Sequence, residues 1–331
     1  MKHGGNIYKV AKSLTCKSSE IIDFSSNINL YHPKNKIKTD DKMIVSYADS
    51  SYSKLKKIIS KKYSIKPKQI ALYNGATSAI YELFRHLKAL HVTLYAPLYS
   101  EYESAAKASS KVISKINRLE DIYKKPKKGS IVVFVNPSTP DGRFYNLERL
   151  FKIWKEQECS VILDESFLEF EDLSSQRWRI NECKRVYIIQ SFSKFYSSAG
   201  VRIGAVFSDK RNIEKLPDIH WNLSSFDVKF LSKRLKERDF EKDSRLLHVK
   251  QKRELYKILK ESGLFDKIYK SRANFFLVKS KKAGYIYKKL LKNRLLIRRC
   301  ENFDFLSSKY LRFAVKDTHS HKKLSDILES L

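Results

Sequence analysis

Several features common in other classes of protein are absent from this chain of 331 residues. No apolar run approaches the roughly 18 residues that a membrane-spanning helix needs, and the first residues lack the apolar stretch of a secretory signal. No glycine-rich phosphate loop, internal repeat or low-complexity linker occurs. The four cysteines are widely spaced and form no CxxC pair: Cys16, Cys159, Cys183 and Cys300. We therefore expect a cytoplasmic protein, not embedded in a membrane, with reduced thiols and no metal site.

Acidic residues are scarce relative to basic ones, so the formal net charge is +31. Strongly basic chains often bind nucleic acid or anionic membranes. Here the lysines are spread over nearly every amphipathic segment, as at 54–62 and 288–292, which is typical of solvated helix faces. Because no helix-turn-helix, zinc-finger or RRM signature accompanies them, we expect no nucleic-acid or membrane partner. The isolated pair His319 and His321 is expected at the surface.

Three short apolar runs end in polar residues that carry chemistry. The run 131–135 is followed by Asn136, the run 160–163 by Asp164, and the run 185–190 by Ser191 and then Lys194. Their β-branched and aromatic residues do not alternate with polar ones, which predicts strands buried on both faces of a parallel sheet. Ligands of such sheets bind beyond the carboxyl ends of the strands. The sequence therefore predicts one site where these polar residues meet.

Lys194 is the most informative of these residues. Burial at the end of a core strand penalises a charged amine, whereas a Schiff base to an aldehyde cofactor removes the charge and makes the lysine useful. Ser191, Ser193 and Arg202 could hold a phosphate beside it. Considered alone, Lys194 could equally be a surface lysine, because the chain contains many lysines.

A second candidate phosphate site lies at Asn74-Gly75-Ala76-Thr77, directly after a predicted strand. Free backbone amides at a helix start bind phosphate, and small residues let the anion approach. An ordinary turn between strand and helix is the alternative. Similarly, Asp164 could be the N-cap of the segment that follows it.

The remaining pattern predicts an α/β protein. Strands alternate with helical patterns between about 40 and 210, as in a mostly parallel sheet wrapped by helices. A charged run without proline or glycine, from about 224 to 262, predicts one or two connecting helices. We expect three parts: an N-terminal arm at 1–30, a large domain at 31–222, and a connecting helix with a small α+β domain at 223–331.

The order of the motifs resembles a known family. Asn136-Pro…Pro140-x-Gly142, Asp164-Glu-Ser-Phe167, Ser191-Phe-Ser-Lys194 and Arg202-x-Gly204 together resemble the fold-type I pyridoxal-phosphate (PLP) enzymes of the class I and II aminotransferase group. The segments 3–8, 23–29, 297–303 and 310–315 resemble the branch of L-threonine-O-3-phosphate decarboxylases, relatives of the histidinol-phosphate aminotransferases. The resemblance runs in one register from residue 3 to about 328.

The resemblance implies a role for each candidate residue in binding PLP. Lys194 would form an imine with the cofactor, Asp164 would keep its ring nitrogen protonated, and Tyr99 would stack on the ring. The cofactor phosphate would be held by Gly75, Ala76, Thr77, Ser191, Ser193 and Arg202. Tyr47 matches a tyrosine that reaches this phosphate from the neighbouring subunit, which implies a homodimer.

The resemblance also implies residues that bind the substrate. Arg312 would grip its α-carboxylate through two parallel hydrogen bonds, and Arg298 matches a second substrate-contacting arginine. Contacts to a phosphorylated side chain are expected from His3, Asn27 and Asn29.

Several positions depart from the family pattern. In the motif NPNNPTG, Ser138 and Thr139 replace the two middle asparagines and Asp141 replaces the threonine. The second asparagine normally bonds the 3′-oxygen of the cofactor, so Thr139 must do this with a shorter side chain or not at all. Phe167 stands where many transaminases have a tyrosine, which fits the decarboxylase branch. Arg299 replaces an acid common in that branch.

The implied function is a PLP-dependent enzyme that acts on a phosphorylated amino acid, most similar to an L-threonine-O-3-phosphate decarboxylase. An aminotransferase of the histidinol-phosphate type is the alternative, and a non-catalytic binding protein on the same scaffold is the third. Lys194, Asp164 and Arg312 are needed for both reactions, so these residues do not distinguish decarboxylation from transamination.

Overall fold

The secondary structure is seen in a computed structural model that describes residues 4–32 and 41–331. Within those residues the strands, in chain order, are β1 (Ile22–Asp23), β2 (Ile70–Asn74), β3 (His91–Ala96), β4 (Val112–Asn117), β5 (Ile131–Val135), β6 (Ser160–Asp164), β7 (Val186–Ser191), β8 (Ile203–Ser208), β9 (Lys267–Ile268), β10 (Phe275–Lys279), β11 (Leu295–Leu296), β12 (Arg298–Arg299) and β13 (Tyr310–Ala314). The α-helices are α1 (Ile7–Ser13), α2 (Lys42–Val45), α3 (Ser53–Tyr63), α4 (Gly75–His86), α5 (Glu101–Ala108), α6 (Glu148–Glu156), α7 (Lys210–Ile213), α8 (Ser225–Arg234), α9 (Phe240–Glu261), α10 (Ala283–Lys292) and α11 (Thr318–Glu329). Short 3₁₀ helices occur at Ser18–Glu20, Pro67–Gln69, Leu168–Phe170 and Arg177–Ile180.

Seven strands form the central sheet, in the order β2-β8-β7-β6-β5-β3-β4. All neighbours pair in parallel except β8, which is antiparallel to both β2 and β7. The predicted α/β class with a mostly parallel sheet is therefore confirmed. Strand β4 was not predicted, because it lies at the edge of the sheet and only Ile116 among its residues is buried. Edge strands bury less surface, so they lack the continuous apolar run that indicated the others.

Helices cover both faces of this sheet. Along β5, Val132 and Phe134 pack with residues of α3 and α6, whereas Ile131, Val133 and Val135 pack with residues of α4 and α5. Successive side chains of a strand point to opposite faces, so every residue of β5 is buried in one core or the other. This double burial explains why the strand reads as an unbroken apolar run.

A smaller antiparallel sheet follows in the chain, with the order β12-β13-β10-β9. Helices α9, α10 and α11 pack on it through Leu255, Ile286 and Leu324, which have no exposed surface. The chain start joins this part of the molecule, because β1 pairs in parallel with β11 and the Ala314 amide donates to the Phe24 carbonyl at 2.8 Å. The division into an arm at 1–30 and two domains stays a prediction, and helix α1 was not expected in the arm.

One surface prediction is wrong. His321 has no exposed surface; its Nε2 accepts from the Lys316 amide at 3.0 Å and its Nδ1 lies 3.1 Å from Glu254. His319 is exposed, as expected. The two differ because position 321 faces inward from α11, where an imidazole can be buried once both ring nitrogens have partners. All four cysteines are free. Among the described residues, none of the helices combines the length and apolar composition that crossing a bilayer requires.

Candidate active site

A cavity of about 280 Å³ lies at the carboxyl ends of the central strands. Most of the residues predicted for the site line it: Asn27, Ala76, Thr77, Tyr99, Thr139, Asp164, Ser191, Ser193, Lys194, Arg202, Arg298 and Arg312. The cavity residues that end or follow strands of the central sheet form what we call the sheet wall: Ala76, Thr77, Asp164, Ser191 and Lys194. Those from the first 30 residues and from the small sheet form what we call the arginine wall: Ser25, Ser26, Asn27, Arg298 and Arg312.

Helix α4 begins at the cavity and supplies free backbone amides. It starts at Gly75 directly after β2, with no acidic residue in its first turn and no side-chain cap. Gly75 has φ +79°, and a Cβ there would lie 2.7 Å from Nη2 of Arg202. The backbone conformation therefore favours a glycine, and a Cβ would also displace the guanidinium. The resulting cluster of amides and a cation, with Ser191 and Ser193 nearby, suits a phosphate group.

Asp164 ends strand β6 with both carboxylate oxygens hydrogen-bonded. The Tyr102 hydroxyl donates to Oδ2 at 2.8 Å and the Ser166 amide donates to Oδ1 at 2.8 Å. Tyr102 has no exposed surface, and burial raises its pKa well above the ordinary value, so the phenol stays a hydrogen-bond donor. These two bonds fix the position of the carboxylate at the cavity.

Lys194 follows strand β7 and is partly buried at the cavity. Its ammonium nitrogen lies 5.1 Å from the ring centre of Phe167. Burial lowers the pKa of Lys194; nearby Asp164 opposes this change, and the cations Arg312 and Arg202 add to it. A lowered pKa means that more of the amine is neutral near pH 7, and the neutral amine is the form that attacks an aldehyde.

Arg312 and Arg298 are cross-strand neighbours on β13 and β12. Arg312 is buried; Nη1 donates to the Thr139 hydroxyl at 3.2 Å and Nη2 to the Ser25 carbonyl at 3.0 Å, and both acceptors are neutral. Its Nε has no partner among the described residues, and burial lowers the pKa of Arg312 to about 10. Arg298 donates to Asn302 at 2.8 Å and lies over the Phe303 ring. Two like charges directly opposite each other on a sheet repel, so this pair favours an anion between them.

The chain matches the sequence model of aminotransferase classes I and II over residues 19–331. The protein belongs to this family. Among its relatives, the adenosylcobalamin biosynthesis bifunctional protein CobDQ of Leptospira interrogans is 30% identical over all of this chain. The chain spans 41% of the length of that relative. An L-serine phosphate decarboxylase of Campylobacter jejuni is 27% identical, over 82% of this chain and 76% of its own.

Solved structures of the family share the fold. The histidinol-phosphate aminotransferase of Clostridium acetobutylicum has a TM-score of 0.83 at 28% identity, covering 94% of this chain and 98% of its own. The L-threonine-O-3-phosphate decarboxylase of Porphyromonas gingivalis has a TM-score of 0.80 at 21% identity, covering 94% and 99%. The predicted family is therefore confirmed, and its relatives include both phosphorylated amino-acid decarboxylases and histidinol-phosphate aminotransferases. Because class I and II aminotransferases depend on PLP, this member is a PLP-dependent enzyme.

The residues present fit this cofactor. The backbone amides at the start of α4 would bind the cofactor phosphate. The carboxylate of Asp164 would bind the protonated ring nitrogen, and the amine of Lys194 would react with the aldehyde carbon. Thr139 departs from the family's asparagine: its hydroxyl accepts from Arg312, which leaves its proton to donate to a cofactor oxygen. Phe167 lines the cavity and offers no hydroxyl for that role.

Four residues predicted for the site do not line the cavity. Gly75 lies beside it at the start of α4. The side-chain amide of Asn29 donates to the Phe195 carbonyl at 2.7 Å and its backbone amide donates to the Lys194 carbonyl at 2.9 Å, so Asn29 supports the segment that carries the lysine. Tyr47 is 81% exposed and packs on Trp221. His3 lies outside the described residues.

Sequence reasoning missed other residues at the site. Ser25, Ser26 and Phe303 line the cavity, and Tyr102 bonds Asp164. Tyr102 lies on the first turn of α5, three residues after Tyr99, which precedes the helix. This spacing of two tyrosines was the sequence signal that could have placed Tyr102 near the site. Ser25 and Phe303 lie within segments 23–29 and 297–303, which carry the family resemblance, and that was the signal available for them.

Proposed function

We propose that the protein is a PLP-dependent decarboxylase of a phosphorylated amino acid that releases carbon dioxide and an amino-alcohol phosphate. The observation that carries the substrate class is the pair Arg298 and Arg312, which lie directly opposite each other at the cavity. Arg312 has only neutral acceptors and an Nε without a partner among the described residues, which suits the α-carboxylate of a substrate. A phosphate on the same substrate supplies negative charge for the rest of the arginine wall.

The names of relatives support the reaction. A serine phosphate decarboxylase and a threonine phosphate decarboxylase both share this fold, and a third relative is a protein of cobalamin biosynthesis. Phe167, in place of the tyrosine common in transaminases, agrees with the decarboxylase branch. We take threonine phosphate as the first candidate substrate and serine phosphate as the second.

The roles of the chain's own residues follow from their geometry. When bound, PLP supplies an electron-accepting ring that stabilises negative charge at the substrate Cα. Asp164 would hold a proton on the ring nitrogen, and Tyr99 would pack against the ring. Arg312 orients the carboxylate so that the bond between Cα and the carboxylate carbon breaks, with its electron pair left at Cα. Lys194, as an ammonium, then delivers a proton to Cα.

The reaction is tested by supplying substrate without a keto acid. Purified protein loaded with PLP should release carbon dioxide from threonine phosphate or serine phosphate in the absence of 2-oxoglutarate. A strict requirement for 2-oxoglutarate, with histidinol phosphate consumed, would select the aminotransferase of the histidinol-phosphate type instead. If the purified protein does not bind PLP at all, the non-catalytic binding protein on the same scaffold would be the favoured function.

We also propose that two copies of the chain share their active sites in the cytoplasm. The rings of Tyr47 and Trp221 are tilted by 31° with their centres 4.9 Å apart. Ile44, Val45 and Ile219, which lie within three residues of them in sequence, are also exposed, and we call these five apolar residues the Tyr47 patch. Exposed apolar clusters of this kind mark interfaces. A second copy over the patch would bring Tyr47 to the cofactor phosphate of its partner, as the family resemblance implies.

Subunit exchange tests this arrangement. Lys194→Ala and Tyr47→Ala subunits, each inactive or weak alone, should regain activity when co-expressed, because the mixed dimer contains one site with both residues intact. Mixed subunits that stay as inactive as the separate variants would contradict shared sites, and a monomeric mass in solution would contradict the dimer.

A further inference from the structure

A buried ion pair beside the cavity joins Arg118 to Asp141. Arg118 follows the edge strand β4, and its side chain is 2% exposed against 3% for Asp141. The two groups bond in parallel, with Nη2 to Oδ1 at 2.6 Å and Nη1 to Oδ2 at 3.0 Å. The Ser138 hydroxyl also donates to Oδ1, at 2.7 Å. The carboxylate and three donors therefore hold one another in a single geometry.

Arg118 also donates from Nη1 to the Tyr145 hydroxyl at 2.9 Å, and three further bonds reach two loops that line the cavity. Nε and Nη2 donate to the Pro97 carbonyl at 3.2 and 3.0 Å, two residues before Tyr99. Nη2 also donates to the Thr139 carbonyl at 3.2 Å, and the hydroxyl of the same Thr139 accepts from Arg312. The guanidinium of Arg118 thus connects the loop that carries Tyr99 with the loop that carries Thr139. Tyr99 is predicted to stack on the cofactor ring, and Thr139 contacts Arg312.

This arrangement accounts for two departures from the family motif. Asp141 stands where the motif has threonine and Ser138 where it has asparagine, and both side chains bond within the Arg118 cluster. Removing two charges from water is expensive, and a buried ion pair often adds little stability beyond well-packed apolar residues. What a forked, bidentate pair does supply is a fixed orientation of the groups it contacts.

We propose that Arg118, held by Asp141, is a positioning residue that sets Tyr99 against the cofactor ring and, through Thr139, sets the guanidinium of Arg312 against the substrate. The effect on Arg312 rests on the proposed function, whereas the effect on Tyr99 concerns the cofactor alone. Arg118 touches neither ligand directly, so it acts through the two loops.

The test is Arg118→Lys, which keeps the charge but cannot form the fork or reach both carbonyls. Titration of the apoprotein with PLP should show a dissociation constant raised about tenfold, and the loaded enzyme should show KM raised by a similar factor with a smaller change in kcat. Arg234→Lys is the matched control, because Arg234 is 6% exposed against 4% for Arg118 and is also paired to a carboxylate, that of Glu237 at 2.7 Å. Glu237 follows α8 and belongs to neither of the two loops. The control should lose thermal stability without changing PLP affinity.

A milder variant decides the matter if Arg118→Lys fails to fold. Ser138→Ala removes one donor to Asp141 and leaves the ion pair, so PLP affinity should fall by about threefold at nearly unchanged melting temperature. Its control is Ser208→Ala, a buried serine whose hydroxyl donates to the Val186 carbonyl. The proposal would be overturned if Arg118→Lys and Ser138→Ala both kept the wild-type PLP affinity and KM. If only Ser138→Ala folds, wild-type values in that variant alone would overturn it. Because PLP titration needs no substrate, it stays decisive if the proposed substrate class is wrong.

Discussion

The sheet wall and the arginine wall line the same cavity but are built in different ways. Asp164 and Ser191 are the last residues of the adjacent strands β6 and β7, and Lys194 follows β7. Their positions are therefore set by strand pairing, such as that of Asp164 with Ile189 and of Ser191 with Gly204. Ser25 and Arg312 are 287 residues apart in sequence and are joined by a single bond to a backbone carbonyl. The comparison teaches that the part predicted to hold the cofactor rests on a continuous core, whereas the part predicted to hold the substrate depends on long-range contacts between separate segments.

The strongest test of this contrast is loss of the lysine in the sheet wall. Lys194→Ala should reduce turnover by about 10⁴-fold, since it removes both the covalent attachment and the proton carrier. Borohydride treatment of loaded wild-type protein should add the mass of reduced PLP to the peptide that contains Lys194. PLP fixed to a different lysine would contradict the assignment.

Arg312→Lys tests the arginine wall. Lysine keeps the charge but loses the two-pronged geometry, so kcat/KM should fall by about 100-fold. The PLP dissociation constant of the same variant should stay at the wild-type value, because Arg312 is predicted to contact substrate only. Equal losses of PLP affinity and kcat/KM would mean that the two walls do not divide these tasks.

Tyr102→Phe sharpens the account of the sheet wall. It deletes only the hydroxyl that donates to Asp164, and a hydrogen bond to a charged group contributes about 1.5–3 kcal/mol, so PLP should bind about tenfold more weakly. Tyr95→Phe is the control: Tyr95 is 1% exposed, and its hydroxyl accepts from Trp154 at 2.9 Å. The control should destabilise the fold slightly while leaving PLP affinity unchanged.

The smallest effect compares two glycines. Gly75→Ala should lower the free energy of unfolding by about 1 kcal/mol, because alanine is strained at φ +79° and its methyl group would meet Arg202. Gly284→Ala, inside α10 with nothing within 4 Å of the new methyl group, should raise it by about 0.5–1 kcal/mol. Urea denaturation measures both. A stabilising Gly75→Ala would show that the sheet wall has more room than the structure indicates.

The sequence predicted the sheet wall well because double burial leaves a local signal. An unbroken apolar run such as 131–135 identifies a strand, and the polar residue at its end is then placed by the rule that strand ends converge. The same reasoning missed β4, since only Ile116 of its residues is buried, and so it missed the position of Arg118 directly after that strand. It also misplaced His321, whose burial depends on Glu254 in another helix.

The arginine wall could be predicted only through the family resemblance. Arg312 lies inside a strand-like run, where an arginine needs an anionic partner, but only the resemblance assigned Arg298 and Arg312, among 67 lysines and arginines, to the substrate. Their pairing depends on register between β12 and β13, and the placement of the chain start depends on β1 pairing with β11. The contact of Asn29 with substrate stays a prediction, and its bonds to Lys194 and Phe195 could not be predicted because these partners are distant in sequence.

The bond from Arg312 to the Ser25 carbonyl has a consequence for how the enzyme matures. During synthesis the strands of the central sheet emerge from the ribosome long before β13, so a growing chain can display Lys194 and Asp164 while the arginine wall does not yet exist. A cavity with both walls therefore forms only after β13 has been made and has packed against the segment that carries Ser25.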